Sequence, residues 1–249
     1  MLSYSAVCDE FYVNARLFLK LDLDPSRETV LHFFEQLRRA YPRMTRMRRR
    51  DDGVLVLDEE PQSSQTRRFV RLEPNALKFG VAQPTDLGQI AEFGELLLSA
   101  APAHLSLSDL DYDYMELGFA FDLEYKGNHD ELVADALFGD TLWLAALTDD
   151  GGQPIDCQPF LGVALGDDCE RQVYLEIKGR TSTYEVRTGE FDAAPLSVYL
   201  TARRYWGGTR PPELVAVLRD LLALCDRYGS SGVVPYVVQP LASEIASRR

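Results

Sequence analysis

Two stretches with the same alternation decide the fold: FYVNARLFLKLDL at residues 11–23 and MELGFAFDLE at residues 115–124. In the first stretch, apolar residues such as Val13 and Leu17 take the odd positions, and polar residues such as Asn14 take most of the even ones. Apolar residues that recur at every second position lie on one face of a β-strand. Each stretch is therefore predicted to be a strand with one buried face.

Signals for a helix and for several further strands follow each of these predicted strands. Asp24-Pro25 predicts the start of a helix, because a capping residue precedes a proline at the first helical position. The predicted helices span about 25–41, 86–102, 128–139 and 211–228, with a short one near Leu241. The further predicted strands are 44–50, 54–57, 68–73, 76–81, 142–147, 160–165, 171–176, 181–187 and 196–206, with hairpin turns at 51–53 and 149–151.

The order strand, helix, four strands, helix occurs twice in this assignment. We therefore predict an α+β protein, a tandem repeat that forms a curved, mostly antiparallel sheet with helices on one face. The predicted repeats are residues 1–105 and 106–229, and a tail follows at 230–249. This arrangement is similar in outline to the saddle of the TATA-binding protein, and more loosely to duplicated effector-binding domains of the GyrI-like type. No motif of either family occurs in the sequence, so the resemblance implies an architecture and not a function.

Composition narrows the class of partner. The 249 residues include 26 Lys and Arg against 39 Asp and Glu, a net charge of −13, which disfavours nucleic acid as a ligand. The longest apolar run, residues 142–147, is too short for a membrane helix, and no basic leader segment is visible. Four scattered cysteines are typical of a reduced protein, so we expect a cytoplasmic location. The strong preference for arginine over lysine favours a bacterial source with a GC-rich genome.

No catalytic or cofactor motif emerges from the polar residues. His32 and His129 are predicted to be exposed on helices, and His104 to lie in a loop. The acidic run 109–113 lacks the glycine and closing glutamate of a calcium loop, so neither a metal nor a cofactor is expected. The segment 206–210 before a helix offers backbone N–H groups to an anion, but an ordinary turn is the simpler interpretation.

Seven arginines within residues 38–50 are unusual in a chain of this net charge. Strand alternation places some of them on the open face of the predicted sheet, together with basic residues from other strands. The predicted basic site residues are Arg16, Lys20, Arg46, Arg48, Arg50 and Arg71, joined by Lys78. Tyr174 and Glu176 are predicted to lie on the matching face of the second repeat, where Arg187 would approach them.

These observations favour a non-enzymatic binding module whose open sheet face, or the cleft between its repeats, receives an anionic ligand or an acidic protein surface. One alternative is an enzyme that acts on an acidic or phosphorylated small molecule in that cleft. Another is self-association, in which the basic half of one chain meets the acidic half of a second copy. The plainest interpretation is that these charged residues only keep an exposed face of the sheet soluble and pair with each other across strands.

Overall fold

The computed structural model describes residues 4–60, 66–206 and 212–248. Its strands are β1 (Glu10–Leu19), β2 (Arg46–Arg49), β3 (Leu55–Asp58), β4 (Arg67–Glu73), β5 (Ala76–Ala82), β6 (Tyr112–Tyr125), β7 (Phe160–Leu165), β8 (Arg171–Lys178) and β9 (Ala194–Tyr205). Its α-helices are α1 (Arg27–Ala40), α2 (Gly88–Leu105), α3 (His129–Phe138), α4 (Leu142–Thr148), α5 (Thr183–Thr188), α6 (Leu214–Tyr228) and α7 (Gln239–Ser247).

Within the described residues, the strands form one open antiparallel sheet of nine strands in the order β2-β3-β4-β5-β1-β6-β9-β8-β7. The fold class is therefore α+β, as predicted. The two alternating stretches of the sequence become β1 and β6, which pair with each other at the centre of the sheet. We refer to β1–β5 with α1 and α2 as the first half, and to the chain from β6 onward as the second half.

The alternation in β1 produces the predicted burial. Its odd-numbered residues, from Phe11 to Leu19, are at most 4% exposed, whereas the even-numbered ones are half-buried on the opposite face. The odd face belongs to one continuous core, which also contains the buried side chains of α1, α2 and α6 and joins both halves. Gly94 of α2 allows a close helix contact, since a Cβ there would lie 2.3 Å from the Cδ2 atom of Leu218 on α6.

Some predicted helix ends differ from the observed ones. Ser26, not Asp24, caps α1: its side-chain oxygen accepts a hydrogen bond from the backbone N–H of Thr29 at 3.2 Å. Asn128 caps α3 as predicted. After α6, a π-helical segment (Gly229–Val238) leads into α7, which packs against α3. None of the helices in the described parts of the chain is both long enough and apolar enough to span a bilayer.

Two strands predicted in the second half are helices. Residues 142–147 lie in α4, because the leucine and alanine residues of this run favour a helix and its apolar residues do not alternate. Residues 181–187 include most of α5, which begins with a capping box formed by Ser182 and Glu185. The second half therefore does not follow the predicted order of strand, helix, four strands and helix.

Candidate ligand-binding face

The pairing register brings charged residues from successive strands into one row across the open face. On β4, β5 and β1, Arg71 pairs with Lys78 and Lys78 pairs with Arg16. We call these three residues the cationic row. The row continues across the centre of the sheet, where Arg16 pairs with Glu116 of β6 and Glu116 pairs with Arg203 of β9. Like charges on directly opposed residues repel each other, so the cationic row is an unfavourable arrangement for the protein alone.

The adjacent row of the same face contains small residues. Gly80 of β5 is paired with Asn14 of β1, and Asn14 with Gly118 of β6. A Cβ on Gly80 would lie 2.5 Å from the Oδ1 atom of Asn14 and 2.7 Å from the ring of Phe69. The absence of a side chain at Gly80 therefore lets the Phe69 ring lie across the sheet beside the cationic row.

A cavity of about 550 Å³ lies over β2, β3, β4, β5 and β1 on this face. Of the residues predicted from the sequence, Arg46, Arg48, Arg71 and Lys78 line it. Further lining residues include Glu10, Tyr12, Asn14, Asp58, Glu59, Arg68, Phe69, Asp122 and Tyr199. The sequence interpretation missed these. Asn14 within an apolar strand and Gly80 inside another were the available signals, because glycine in a strand often marks a close approach.

Two of the three arginines of β2 share one carboxylate of the protein. Arg46 and Arg48 contact Asp58 at 3.3 Å (Nε to Oδ1) and 2.5 Å (Nη2 to Oδ2). Asp58 and Glu59 were predicted to begin a polar loop, but Asp58 ends β3 and both are buried, at 9% and 2% exposed. Their burial is tolerated because guanidinium groups surround them: Arg68 contacts Glu59 at 3.4 Å. The arginine-rich segment thus offers an anion less free charge than its composition indicates.

Arg71 and Lys78 are less fully compensated, although the guanidinium of Arg71 lies 4.9 Å from the centre of the Phe69 ring. Within the described residues neither makes an ion pair within 4.0 Å, and the buried Nε atom of Arg71 has no hydrogen-bond partner. Burial lowers the pKa of Lys78 and the charges of Arg71 and Arg16 lower that pKa further, whereas Glu73 and Glu116 act in the opposite direction. Burial also lowers the pKa of Arg71, and Arg50 and Arg48 act in the same direction, opposed by Glu73 and Asp58. These two cations are the strongest candidates for anion contacts in the cavity.

The opposite wall of the cavity is formed by hydroxyl and carboxyl groups. Burial raises the pKa of Tyr12, and the charge of Asp122 and hydrogen bonds to Tyr199 and Asp122 act in the same direction. Asp122 also accepts a hydrogen bond from the hydroxyl of Ser197 at 2.5 Å. This wall therefore carries the carboxyl groups of Glu10 and Asp122 and the phenol groups of Tyr12 and Tyr199, whereas the cationic row carries the positive charge.

Three predicted basic residues lie outside the cavity lining. Arg16 pairs with Glu73 at 2.5 Å (Nη2 to Oε2) and its guanidinium lies 4.2 Å from the centre of the Phe18 ring. Lys20 follows the end of β1 and is exposed. Arg50 follows β2 and contacts Asp52 at 3.7 Å. Some of the predicted basic residues therefore line the cavity, whereas the others either pair with carboxylates of the protein or lie outside the cavity.

Tyr174 and Glu176 lie on β8, on the open face of the second half, and do not line this cavity. The guanidinium of Arg203 lies 4.8 Å from the centre of the Tyr174 ring. Arg187 lies on α5, where it stacks on Tyr184 at 5.3 Å, so it does not join Tyr174 in the sheet. The predicted convergence of these residues is not observed, because the segment that carries Arg187 is a helix.

His129 was predicted to be exposed but is 1% exposed. Its Nδ1 atom accepts a hydrogen bond from the backbone N–H of Arg180 at 3.1 Å, and its Nε2 atom lies 3.3 Å from the carbonyl oxygen of Tyr125. The Nε2 atom therefore carries the proton, and the ring is neutral. Burial lowers the pKa of His129. This side chain joins the start of α3 to the loop before α5, which is a structural role.

The remaining histidines and acidic residues add no second site. His32 is exposed as predicted, whereas His104 lies in the last turn of α2 rather than in a loop. Across the described residues, no group of three or more His, Cys, Asp or Glu side chains is arranged to hold a metal ion. The turn weighed as an anion site at 207–210 lies outside the described residues. Comparison with models of known protein families found no match, and comparison with curated proteins found none either.

Proposed function

We propose that this chain is a non-enzymatic binding module that holds an anionic small molecule in the cavity over the first half of the sheet. The observation that carries the proposal is the adjacent pair Arg71 and Lys78, for which the described parts of the chain provide no ion-pair partner within 4.0 Å. A half-buried pair of like charges is unfavourable, and a bound anion would relieve both the desolvation and the repulsion. Guanidinium and ammonium groups are the usual ligands of phosphate and carboxylate.

The dimensions and lining of the cavity support a small molecule as the ligand. Its volume of about 550 Å³ falls within the range of roughly 300–1,000 Å³ that is typical of small-molecule sites. Phe69 and Tyr12 provide aromatic surface for an apolar part of the ligand, next to the cations that would hold its charge. Glu10 and Asp122 at the wall disfavour a long polyanion such as nucleic acid, because they would repel its further phosphates. An acidic protein surface stays the alternative partner.

A direct test is calorimetric titration of the full chain with inorganic phosphate and, separately, with succinate. We expect saturable binding, and we expect Arg71→Gln and Lys78→Gln each to weaken it by about 10- to 100-fold, the effect of losing one charge-assisted hydrogen bond. Arg49→Gln is the matched control, because it removes the same charge from β2 on the opposite face. No saturable binding, or equal losses in all three variants, would refute the proposal.

An enzyme that acts in the cleft between the halves is the second candidate, and we rank it lower. It depends on Tyr174, Glu176 and Arg187 acting together, whereas Arg187 stacks on Tyr184 of its own helix. Self-association is a third candidate, to which the exposed edge strand β7 lends support. A cytoplasmic location and a bacterial source stay proposals that rest on composition.

We also infer that the two halves arose by duplication into a saddle of the TATA-binding-protein outline. The strand order supports this inference. Outward from the central pair, one side runs β1, β5, β4, β3, β2 and the other runs β6, β9, β8, β7, so in each half the first strand is followed by the remaining strands in reverse chain order. The helices α4 and α5 are then departures of the second half from the common pattern.

A further inference from the structure

Lys78 differs from the other three lysines of the chain in its surroundings. Lys20, Lys126 and Lys178 are exposed, whereas Lys78 is half-buried on β5 and lines the cavity. Arg71 and Arg16 flank it on the two neighbouring strands. The carboxylates of Glu73 and Glu116 oppose the effect of these arginines, but within the described residues no carboxylate lies within 4.0 Å of its ammonium group. An amine in this position is less firmly held in its protonated form than an exposed one.

We propose that Lys78 captures the carbonyl carbon of an anionic aldehyde or ketone as a Schiff base, while Arg71 binds the anionic group of the same molecule. This inference rests on the proposed function, because it specifies the class of anion that the cavity receives. Lysines that are desolvated or placed beside another cation are the ones that serve as amine nucleophiles in proteins. Lys78 meets both conditions.

The reaction needs no oxidant or reductant. The lone pair of neutral Nζ forms a bond to the carbonyl carbon, the C=O π electrons move to oxygen, and a proton passes from nitrogen to oxygen to give a carbinolamine. Loss of the hydroxyl group with one more proton releases water and forms the C=N bond. Each imine formed therefore releases one water molecule, and hydrolysis reverses the step.

Three features of the cavity favour this chemistry. The lowered pKa of Lys78 increases the fraction of free amine near neutral pH, about tenfold for each unit of change. Asn14 lines the same cavity, and its buried Oδ1 atom has no hydrogen-bond partner in the described structure, so it is available to accept from the carbinolamine hydroxyl. The adjacent Arg71 places the negative group of the ligand next to the amine, which raises the local concentration of the carbonyl.

The four lysines allow an internal comparison in one experiment. The full chain is incubated near pH 7 with pyridoxal 5′-phosphate, reduced with borohydride, and digested for peptide mass spectrometry. We expect Lys78 to be labelled at least about tenfold faster than Lys20, Lys126 or Lys178, because Arg71 holds the phosphate of the probe beside the amine. Pyridoxal without the phosphate, and the Arg71→Gln variant, should both lose this preference while labelling of the exposed lysines stays unchanged.

Phosphate binding and labelling, both measured on the unaltered chain, separate this inference from the proposed function. Phosphate binding without preferential labelling of Lys78 would overturn the Schiff base and leave the proposed function standing. Preferential labelling by pyridoxal and its phosphate alike would overturn the role of Arg71. Absence of both phosphate binding and preferential labelling would overturn both proposals.

Discussion

On the open face, the first and second halves of the sheet differ in how the charges of one row are neutralised. Outward from the centre, the first half presents Arg16, Lys78 and Arg71, whereas the second half presents Glu116, Arg203 and Gln172 at the corresponding steps. Arg203 is held by Glu116 at 3.1 Å and 2.9 Å. The second half is therefore neutralised within the protein, while the first half leaves Arg71 and Lys78 for an external anion. A cation on the open face is available to a ligand only where the adjacent strand provides no carboxylate to pair with it.

The largest effect on stability is expected at His129, whose ring joins the start of α3 to the loop before α5 in the second half. His129→Leu leaves the Arg180 N–H and the Tyr125 carbonyl without partners, which costs about 3 kcal/mol. Chemical denaturation with urea measures this loss. His32→Leu, which changes an exposed histidine of the first half, serves as the control and should cost under about 0.5 kcal/mol. Similar losses in both variants would contradict the structural role of His129.

His129 is also expected to make the free energy of unfolding depend on pH. Because the pKa of His129 is lowered in the folded protein, the unfolded chain binds the proton first as the pH falls. The stabilisation is complete above the unfolded pKa of about 6.5 and declines below it, by at most about 1.4 kcal/mol per pH unit, until the folded pKa is reached. Urea denaturation of wild type and His129→Asn between pH 7 and pH 5 checks this. A variant that declines as steeply as the wild type would exclude His129 as the cause.

Removing the carboxylate that pairs with Arg203 should give the second half an unpaired cation, as in the first half. Glu116→Gln leaves Arg203, 26% exposed, without its carboxylate and should cost about 1–2 kcal/mol after allowance for its exposure. The freed guanidinium should bind an anion, so added phosphate should recover part of this stability. Thermal denaturation with and without phosphate, beside the Glu95→Gln control on an exposed pair, measures the recovery. A variant that phosphate stabilises no more than the control would show that an unpaired cation is insufficient.

Removing an unpaired cation from the first half should stabilise the protein. Arg71→Met removes a half-buried charge that has no partner within 4.0 Å among the described residues, and we expect a gain of about 0.5–1 kcal/mol in buffer without polyvalent anions. The variant should no longer respond to phosphate. Arg49→Met, at an exposed position, should leave urea stability unchanged within about 0.5 kcal/mol. A loss of stability in Arg71→Met would mean that Arg71 serves the fold rather than a ligand.

The sequence predicts the parts of this comparison that depend on local pattern. Alternation identified the buried face of β1 and hence the open position of Arg16, and turn residues located the hairpin after β2. It did not predict which charges meet, because the contact of Asp58 with Arg46 and Arg48 depends on the register between strands. The high number of arginines led to the prediction of Arg46 and Arg48 as site residues, although both pair with Asp58.

The errors in the second half have a local cause. The segment 181–187 is predicted to be a strand, yet Ser182 and Glu185 form a capping box whose spacing is visible in the sequence. A capping signal with the correct spacing is more informative than β-propensity, which depends on context. His129 was placed on the surface because a first-turn position is usually exposed. Its burial depends on Arg180 and Thr181, some fifty positions along the chain, and no local pattern indicates that contact.

The smallest change in stability is expected at the two edges of the sheet, which also differ between the halves. The first half ends in β2, with three arginines in four residues, and charged edges resist pairing with another chain. The second half ends in β7, where Leu161 and Val163 are 62% and 43% exposed and no charged side chain is present. An apolar edge strand of this kind pairs readily with a further strand.

Leu161→Lys and Val163→Lys should therefore reduce self-association while changing the free energy of unfolding by under about 0.5 kcal/mol, because both side chains are already exposed. Light scattering over a concentration series measures the mass, and urea denaturation the stability. Met47→Lys on β2, where the wild-type residue is 46% exposed, is the matched control and should change neither. If all three variants scatter like the wild type, the β7 edge is protected in another way, and self-association loses the observation that favours it.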